Sequence, residues 1–156
     1  MTRLQRRAWL LGACAIPLLL GRARALDVAA LTVRRPSGAL ACKVHGDGAV
    51  RTASNALAGR VEPDGDVRSA SGALLGKVGT DGAVRGPSGA LLGRVEPDGD
   101  VRDPSNRLLG RLHADGAVRS ASNALLGRLE GYAPSLRHLA AALLFFFEST
   151  TGMSLG

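Results

Sequence analysis

Aromatic residues make up only 3% of this 156-residue chain: three Phe, one Tyr and one Trp. Carbohydrate binding by ring stacking and single-stranded nucleic-acid binding both use exposed aromatic platforms, so the scarcity argues against each. Cysteine is equally sparse, with Cys14 and Cys42 alone, which excludes a disulfide-stapled scaffold. No apolar run reaches the roughly 20 residues that a helical membrane span needs. Histidines number three and are scattered as His45, His113 and His138, without the convergent spacing of a metal site. The serines sit in turn-like contexts with no paired His and acid or nucleophile elbow. These absences predict no catalytic residues, no metal and no cofactor, and hence a protein that is not an enzyme.

The net charge of +7 is uneven. Arg3, Arg6, Arg7, Arg22 and Arg24 lie in residues 1–25, which hold no acid; beyond them 15 basic and 13 acidic residues nearly balance. That balance excludes the basic patch of a nucleic-acid binder. Residues 1–25 read as a signal peptide: a basic start, an apolar stretch from Ala8 to Leu20, and a small-x-small site at Ala23-Arg24-Ala25. Cleavage near Ala25 would leave residues 26–156 as one exported domain, periplasmic or extracellular. Arg6-Arg7-Ala8-Trp9-Leu10-Leu11 resembles a twin-arginine signal, although paired arginines also occur in ordinary export signals. Leu11-Gly12-Ala13-Cys14 suggests a lipoprotein box, but its apolar core would be too short, so Cys14 reads as an apolar signal residue.

What the chain has in abundance is one unit. The seventeen-residue pattern V-R-x-x-S-G/N-x-L-L/A-G-K/R-V/L-x-x-D-G-x starts at Val33, Val50, Val67, Val84, Val101 and Val118 and fills residues 33–130. A fixed period means one supersecondary unit stacked on its copies. Each copy holds two short alternating segments and two turn signals. Ser-Gly or Ser-Asn forms the first turn and Asp-Gly the second, twice as Pro-Asp-Gly; Gly and Asn supply the positive φ of tight hairpins.

An odd repeat length must keep the same face inward in every copy, because side chains alternate along a strand. A two-residue Ser-Gly loop with a three-residue x-Asp-Gly loop does this. It places Val50 opposite Gly59 and Val61 opposite Val67 on one face with Leu57, and Arg51 and Arg60 on the other. Polar residues at the third position, such as Thr52, Ser69 and Asp103, instead favour a longer Ser-Gly loop. Burying a Val or Leu stabilises by roughly 1.5–3 kcal/mol, and ordering each residue's backbone costs roughly 1–2 kcal/mol. One hairpin cannot fold alone, so a closed radial array is predicted, with an open β-solenoid as the alternative. Cys42 stands where the other copies have Gly59, Gly76, Gly93, Gly110 and Gly127, a small residue in a small slot.

The run of D-G-x-V-R-x-x-S-G-x-L-L-G-K/R-V units, followed by Glu130-Gly131, His138-Leu139-Ala140-Ala141 and Leu143-Leu144-Phe145-Phe146-Phe147, resembles the bacterial five-fold β-flower proteins from Leu31 to about Phe147. The resemblance implies a small exported all-β domain of radially arranged hairpins and no particular activity. Six Ser-Gly/Asn turns against five Asp-Gly turns leave five-fold and six-fold closure both open. Five Asp-Gly petals would need Thr32–Arg34 to pair with Leu125–Leu129.

After the repeats, residues 131–148 form a short C-terminal cap. Ser135 offers a helix cap, and residues 136–147 suit either a helix or, through the three phenylalanines, a strand. The cap reads as a plug or lid over one end of the array, or alternatively as a segment that docks on a membrane surface or a partner. The expected function is a non-enzymatic structural or protein-interaction domain of the cell envelope, with an envelope protein as its partner. The alternative is a ligand-binding module that holds an acidic or anionic ligand at the axial mouth or on an arginine rim. Candidate contacts are Arg51, Arg68, Arg85, Arg102 and Arg119, with Phe145, Phe146 and Phe147. Asp64-Gly65-Asp66 and Asp98-Gly99-Asp100 lack a calcium loop, and Arg68 and Arg102 offset their charge. A chain stopped before Ser135 is expected to lose its cooperative unfolding transition; a soluble, folded product would instead identify the docking segment.

Overall fold

The computed structural model describes Ala29 to Leu155, so the expected signal peptide lies outside the described residues. Twelve short antiparallel strands close into one barrel: β1 (Ala29–Arg34), β2 (Leu40–His45), β3 (Ala49–Thr52), β4 (Leu57–Val61), β5 (Asp66–Ser69), β6 (Leu74–Val78), β7 (Ala83–Arg85), β8 (Leu91–Val95), β9 (Asp100–Arg102), β10 (Leu108–Leu112), β11 (Ala117–Ser120) and β12 (Leu125–Glu130). Each strand pairs with its neighbours in sequence, and β1 pairs with β12 through Thr32–Glu130, Val33–Leu129 and Arg34–Arg128. The seam repeats the register of an internal pair such as Val61–Val67, so none of the twelve described strands has an open edge. Six Ser-Gly/Asn turns ring one end. Five Asp-Gly turns and the β1–β12 seam ring the other.

The expected cross-strand partners hold: Val50 faces Gly59 and Val61 faces Val67. The two-residue Ser-Gly loop does not. Asn55 N–H donates to the Thr52 carbonyl at 2.9 Å, and Thr52 N–H donates to the Ala56 carbonyl at 2.8 Å. That is a three-residue loop with Asn55 at φ 70°, the same construction as the Asp-Gly turn, where Glu62 and Gly65 make the equivalent bonds. Parity survives because a bulge between Gly59 and Leu57 adds back one residue. The bulge also overturns the inward placement of Leu57, which is 38% exposed. The third-position side chain stabilises the longer loop: Thr52 Oγ1 accepts from Ala56 N–H at 3.1 Å and bonds Ser54 Oγ at 2.9 Å.

The two turns differ in why they need glycine. At Gly38, Gly72 and Gly89 an added Cβ would meet nothing, so only positive φ matters and Asn55, Asn106 and Asn123 serve equally. At Gly48, Gly65, Gly82, Gly99 and Gly116 a Cβ would overlap a carbonyl of the next hairpin. Asparagine is therefore absent there. Each Asp-Gly aspartate closes its own turn through Oδ1, as Asp64 does on Asp66 N–H at 3.0 Å.

Every strand contributes at least one buried aliphatic, from Leu31 and Val33 on β1 to Leu129 on β12. Eight strands make a barrel just filled by its own side chains; twelve leave a lumen. A 3-10 turn (Pro134–Leu136) leads into helix α1 (Arg137–Phe146), which occupies that lumen, and a single turn α2 (Glu148–Thr151) follows it. The segment is thus helical, and it is an axial plug more than a lid. Ser135 does not cap it, since no side chain bonds the helix start. Leu139 to Leu144 are all buried, Ala140, Ala141 and Ala142 at 0% exposure, and form one core with the strand valines. A helix apolar on all sides belongs inside.

Glycine on alternate strands makes room for the plug's largest groups. A Cβ on Gly59, Gly76 or Gly93 would stand 2.7, 2.5 or 2.7 Å from the rings of Phe147, Phe146 and Phe145 respectively. Met153 meets Gly127 and Leu155 meets Gly110 in the same way. Cys42, fully buried, fills the sixth slot with its own side chain. We expect Gly72→Asn to change stability by less than about 0.5 kcal/mol and Gly82→Asn to cost about 1–3 kcal/mol, read from urea unfolding midpoints.

Candidate functional site

The outer wall carries one cation on every strand, the complement of the inward valine. Arg34, Arg51, Arg68, Arg85, Arg102 and Arg119 belong to one half of the belt, and Lys43, Arg60, Lys77, Arg94, Arg111 and Arg128 to the other. The register sets them directly opposite one another: Lys43–Arg51, Arg60–Arg68, Lys77–Arg85, Arg94–Arg102, Arg111–Arg119 and Arg34–Arg128. Like charges across a strand pair are destabilising, so the structure must offset them.

It does so in two ways. The first six arginines each donate Nη1 to a carbonyl of their own Ser-Gly/Asn turn, four residues on: Arg34 to Gly38, Arg51 to Asn55, Arg68 to Gly72, Arg85 to Gly89, Arg102 to Asn106 and Arg119 to Asn123, all at 3.0–3.1 Å. The candidate contacts Arg51, Arg68, Arg85, Arg102 and Arg119 are thus five of six arginines that each brace their own turn. Acids then pair with much of the belt. Asp100, 5% exposed, accepts from Arg111 Nε at 2.6 Å and Arg102 Nη2 at 2.8 Å. Asp66 joins Lys77 and Arg68 at 3.4 and 3.6 Å, and Glu130 joins Arg34 at 2.9 Å across the seam. The Arg111 hydrogen bond, with that of Arg102 and the charge of both, holds the Asp100 carboxyl below its ordinary range.

Charge is also sorted along the barrel axis. The Asp-Gly loops hold Asp47, Glu62, Asp64, Asp81, Glu96, Asp98 and Asp115. Asp47 and Asp115 are held in the charged form chiefly by the N–H of Ala49 and Ala117. The Ser-Gly/Asn loops are charged only at Arg35, Asp103 and Arg107, and Asp103 already binds Ser105 at 2.6 Å and Arg107 at 3.2 Å.

The three phenylalanines point into the array, Phe147 buried and Phe145 and Phe146 half-buried. The latter two line a concavity of about 500 Å³ at the Ser-Gly mouth with Glu148, Ser149, Gly152 and Ser154. The structure keeps them apart from the arginine belt, on the other side of the wall. At the Asp-Gly mouth, a cleft of about 570 Å³ lies between the Pro63–Gly65 and Gly79–Gly82 turns and the helix start, lined by Lys77, Arg137 and His138. His45 Nε2 is buried beside it without a protein partner. Burial pushes the Cys42 thiol up to about 12, which makes it a poor nucleophile. Among the described residues no group of three metal-ligating side chains converges.

Sequence reasoning put Arg60 on the outer face with Arg51 but left the second half of the cation belt out of the candidate contacts, although its K/R position stands in the unit itself. It also overlooked the cleft residues Arg137 and His138, which lie outside the repeat. Over residues 31–148 the chain matches the family model described as 5-fold beta-flower protein. This chain belongs to the β-flower family. No curated protein matches it, and no solved structure does. In this β-flower five Asp-Gly hairpins are continuous and the seam closes the sixth sector, so by strands the ring is six-fold.

A carboxyl whose folded pKa is depressed adds stability above its unfolded pKa and loses it as pH falls through the folded one. The β-flower should therefore lose stability on acidification below the ordinary carboxylate range. Asp100→Asn is expected to lower the thermal midpoint at pH 7 and to shrink the difference from the native chain toward pH 2.5, followed by circular dichroism.

Proposed function

We propose that this β-flower is an exported, non-catalytic structural or interaction module of the bacterial envelope. The filled axis carries the reading. Among the described residues repetition leaves no unique polar cluster inside the barrel, the lumen is occupied by the chain's own helix, and the repeated arginines, aspartates and serines are engaged in bracing turns. What such a body offers is its outside, a rigid surface repeated around a ring. Export is supported by the basic start, the apolar Ala8–Leu20 stretch and the Ala23-Arg24-Ala25 site.

A second reading, a ligand-binding module for a small anion, is favoured by the cleft at the Asp-Gly mouth. Its Arg137 and His138 break the repeat, and pockets that bind ligands commonly converge a few polar groups on an apolar wall. The interaction reading stands first because an acid, Asp64, lines the same cleft.

Fractionation of cells producing the full chain, with N-terminal sequencing of the recovered protein, tests the export reading. The expected product starts at Leu26 and lies outside the cytoplasm. Cytoplasmic retention of an uncleaved chain would overturn it.

A further inference from the structure

The geometry points to the Ser-Gly/Asn end of the barrel as a docking face for an anionic lipid surface. This deepens the envelope reading and rests on it for location alone. Two independent features converge on that end. The first is apolar. Leu57, Leu74 and Leu92 are 38, 38 and 39% exposed; Leu57 and Leu74 stand across from Arg51 and Arg68 of the outer belt, and Leu92 is the extra residue of the bulge between Leu91 and Gly93. They stand on β4, β6 and β8, the strands whose glycines receive Phe147, Phe146 and Phe145. The half-buried edges of Phe145 and Phe146 open into the mouth beside them. One arc of this end therefore presents leucine outside the wall and phenylalanine inside it.

The second feature is charge. On the same arc Arg68 and Arg85 reach toward the turns, where their Nη1 atoms meet the Gly72 and Gly89 carbonyls, and Arg60, Lys77 and Arg94 stand next to them. All of these but Arg85 also have an acid within 3.4–3.8 Å, on the Asp-Gly side. Arg85 has no acid partner among the described ion pairs. Seven acids lie at the opposite pole, in the Asp-Gly loops, against two at this end: Asp103, already paired with Arg107, and the exposed Glu148 at the mouth. A negative surface thus attracts one end and repels the other, and the attracted end is the one with exposed apolar groups. Phosphate groups suit guanidinium N–H donors left free by the turn bonds. Leucine and phenylalanine edges suit the boundary between headgroups and acyl chains. A soluble polyanion would use the arginines but gain nothing from the leucines. A second copy would have to bring two arginine-rich ends together, which charge opposes.

Vesicle co-sedimentation tests the proposal, with the chain from Leu26 onward, which carries the whole closed barrel and its axial helix and excludes the apolar leader. Phosphatidylglycerol–phosphatidylcholine vesicles are expected to bind at least tenfold more tightly than phosphatidylcholine alone, with binding weakened by salt. Leu57→Gln, Leu74→Gln and Leu92→Gln together should reduce binding tenfold or more at an unchanged thermal midpoint. Orientation is read by fluorescence, since residues 26–156 contain no tryptophan. Leu74→Trp should shift to the blue on anionic vesicles, and Thr80→Trp, at the acidic pole, should not. Equal binding to neutral vesicles, no binding, or a shift at Thr80→Trp would overturn the proposal. So would dextran sulfate binding as tightly and ignoring the leucine changes, or a Leu74→Trp shift on self-association without lipid. Because the vesicles are external, failure here leaves the export result standing, and the reverse also holds.

Discussion

A sheet of twelve strands closed on itself encloses more space than one valine per strand can fill, and that unfilled axis is the constraint on which the rest of the β-flower depends. Closure removes the strand edges, which a stack of seventeen-residue hairpins could not otherwise protect. It also creates a lumen that must not be left empty, because an apolar void forfeits the dispersion contacts of its whole lining. The chain answers with its own C-terminal helix. Leu139 to Leu144, three alanines among them, share one core with the strand valines, and Phe145, Phe146 and Phe147 spread onto the glycines of three successive hairpins. Cys42 fills the equivalent slot on β2 with its own side chain. Wall and plug are thus complementary in volume where phenylalanine meets glycine, as close-packed interiors require.

The outside of the wall follows from the same alternation. A residue turned inward as valine leaves its neighbour turned outward as arginine or lysine, and antiparallel register then places cations face to face on adjacent strands. The turn carbonyls and the flanking acids absorb that repulsion. Asp100 shows the arrangement at its tightest, covered by the two arginines that share its charge. Positions without such an acid, Arg85 among them, leave the belt positive toward the Ser-Gly/Asn end, while the Asp-Gly end is acidic because each of its turns needs an aspartate to close it. The polarity of the barrel is therefore a by-product of turn chemistry, and the proposed lipid-facing orientation draws on it.

Much of this was readable in the unit. The period gave the repeat, the turn residues gave hairpins, and the need for a constant inward face gave the Val50–Gly59 and Val61–Val67 partners. Leu57 was misplaced because two constructions keep the same parity: a two-residue loop, or a three-residue loop with a bulge. Only the polar third position, where Thr52 bonds Ser54 and the Ala56 N–H, favoured the second. The arginine rim was visible as a pattern, but its bonds to turn carbonyls were not, since they depend on where the bulge places each turn relative to its strand. The cleft residues Arg137 and His138 carried no repeating signal at all.

By itself the sequence determined the all-β hairpin array, the inward and outward faces and the aspartate-closed turns, because each is a local consequence of φ preference and period-two alternation. Tertiary structure alone decided that the ring closes with twelve strands, that β1 and β12 complete it, and that the tail becomes an axial helix. Those outcomes depend on the width of the enclosed space, a property of the whole ring that no single seventeen-residue copy contains.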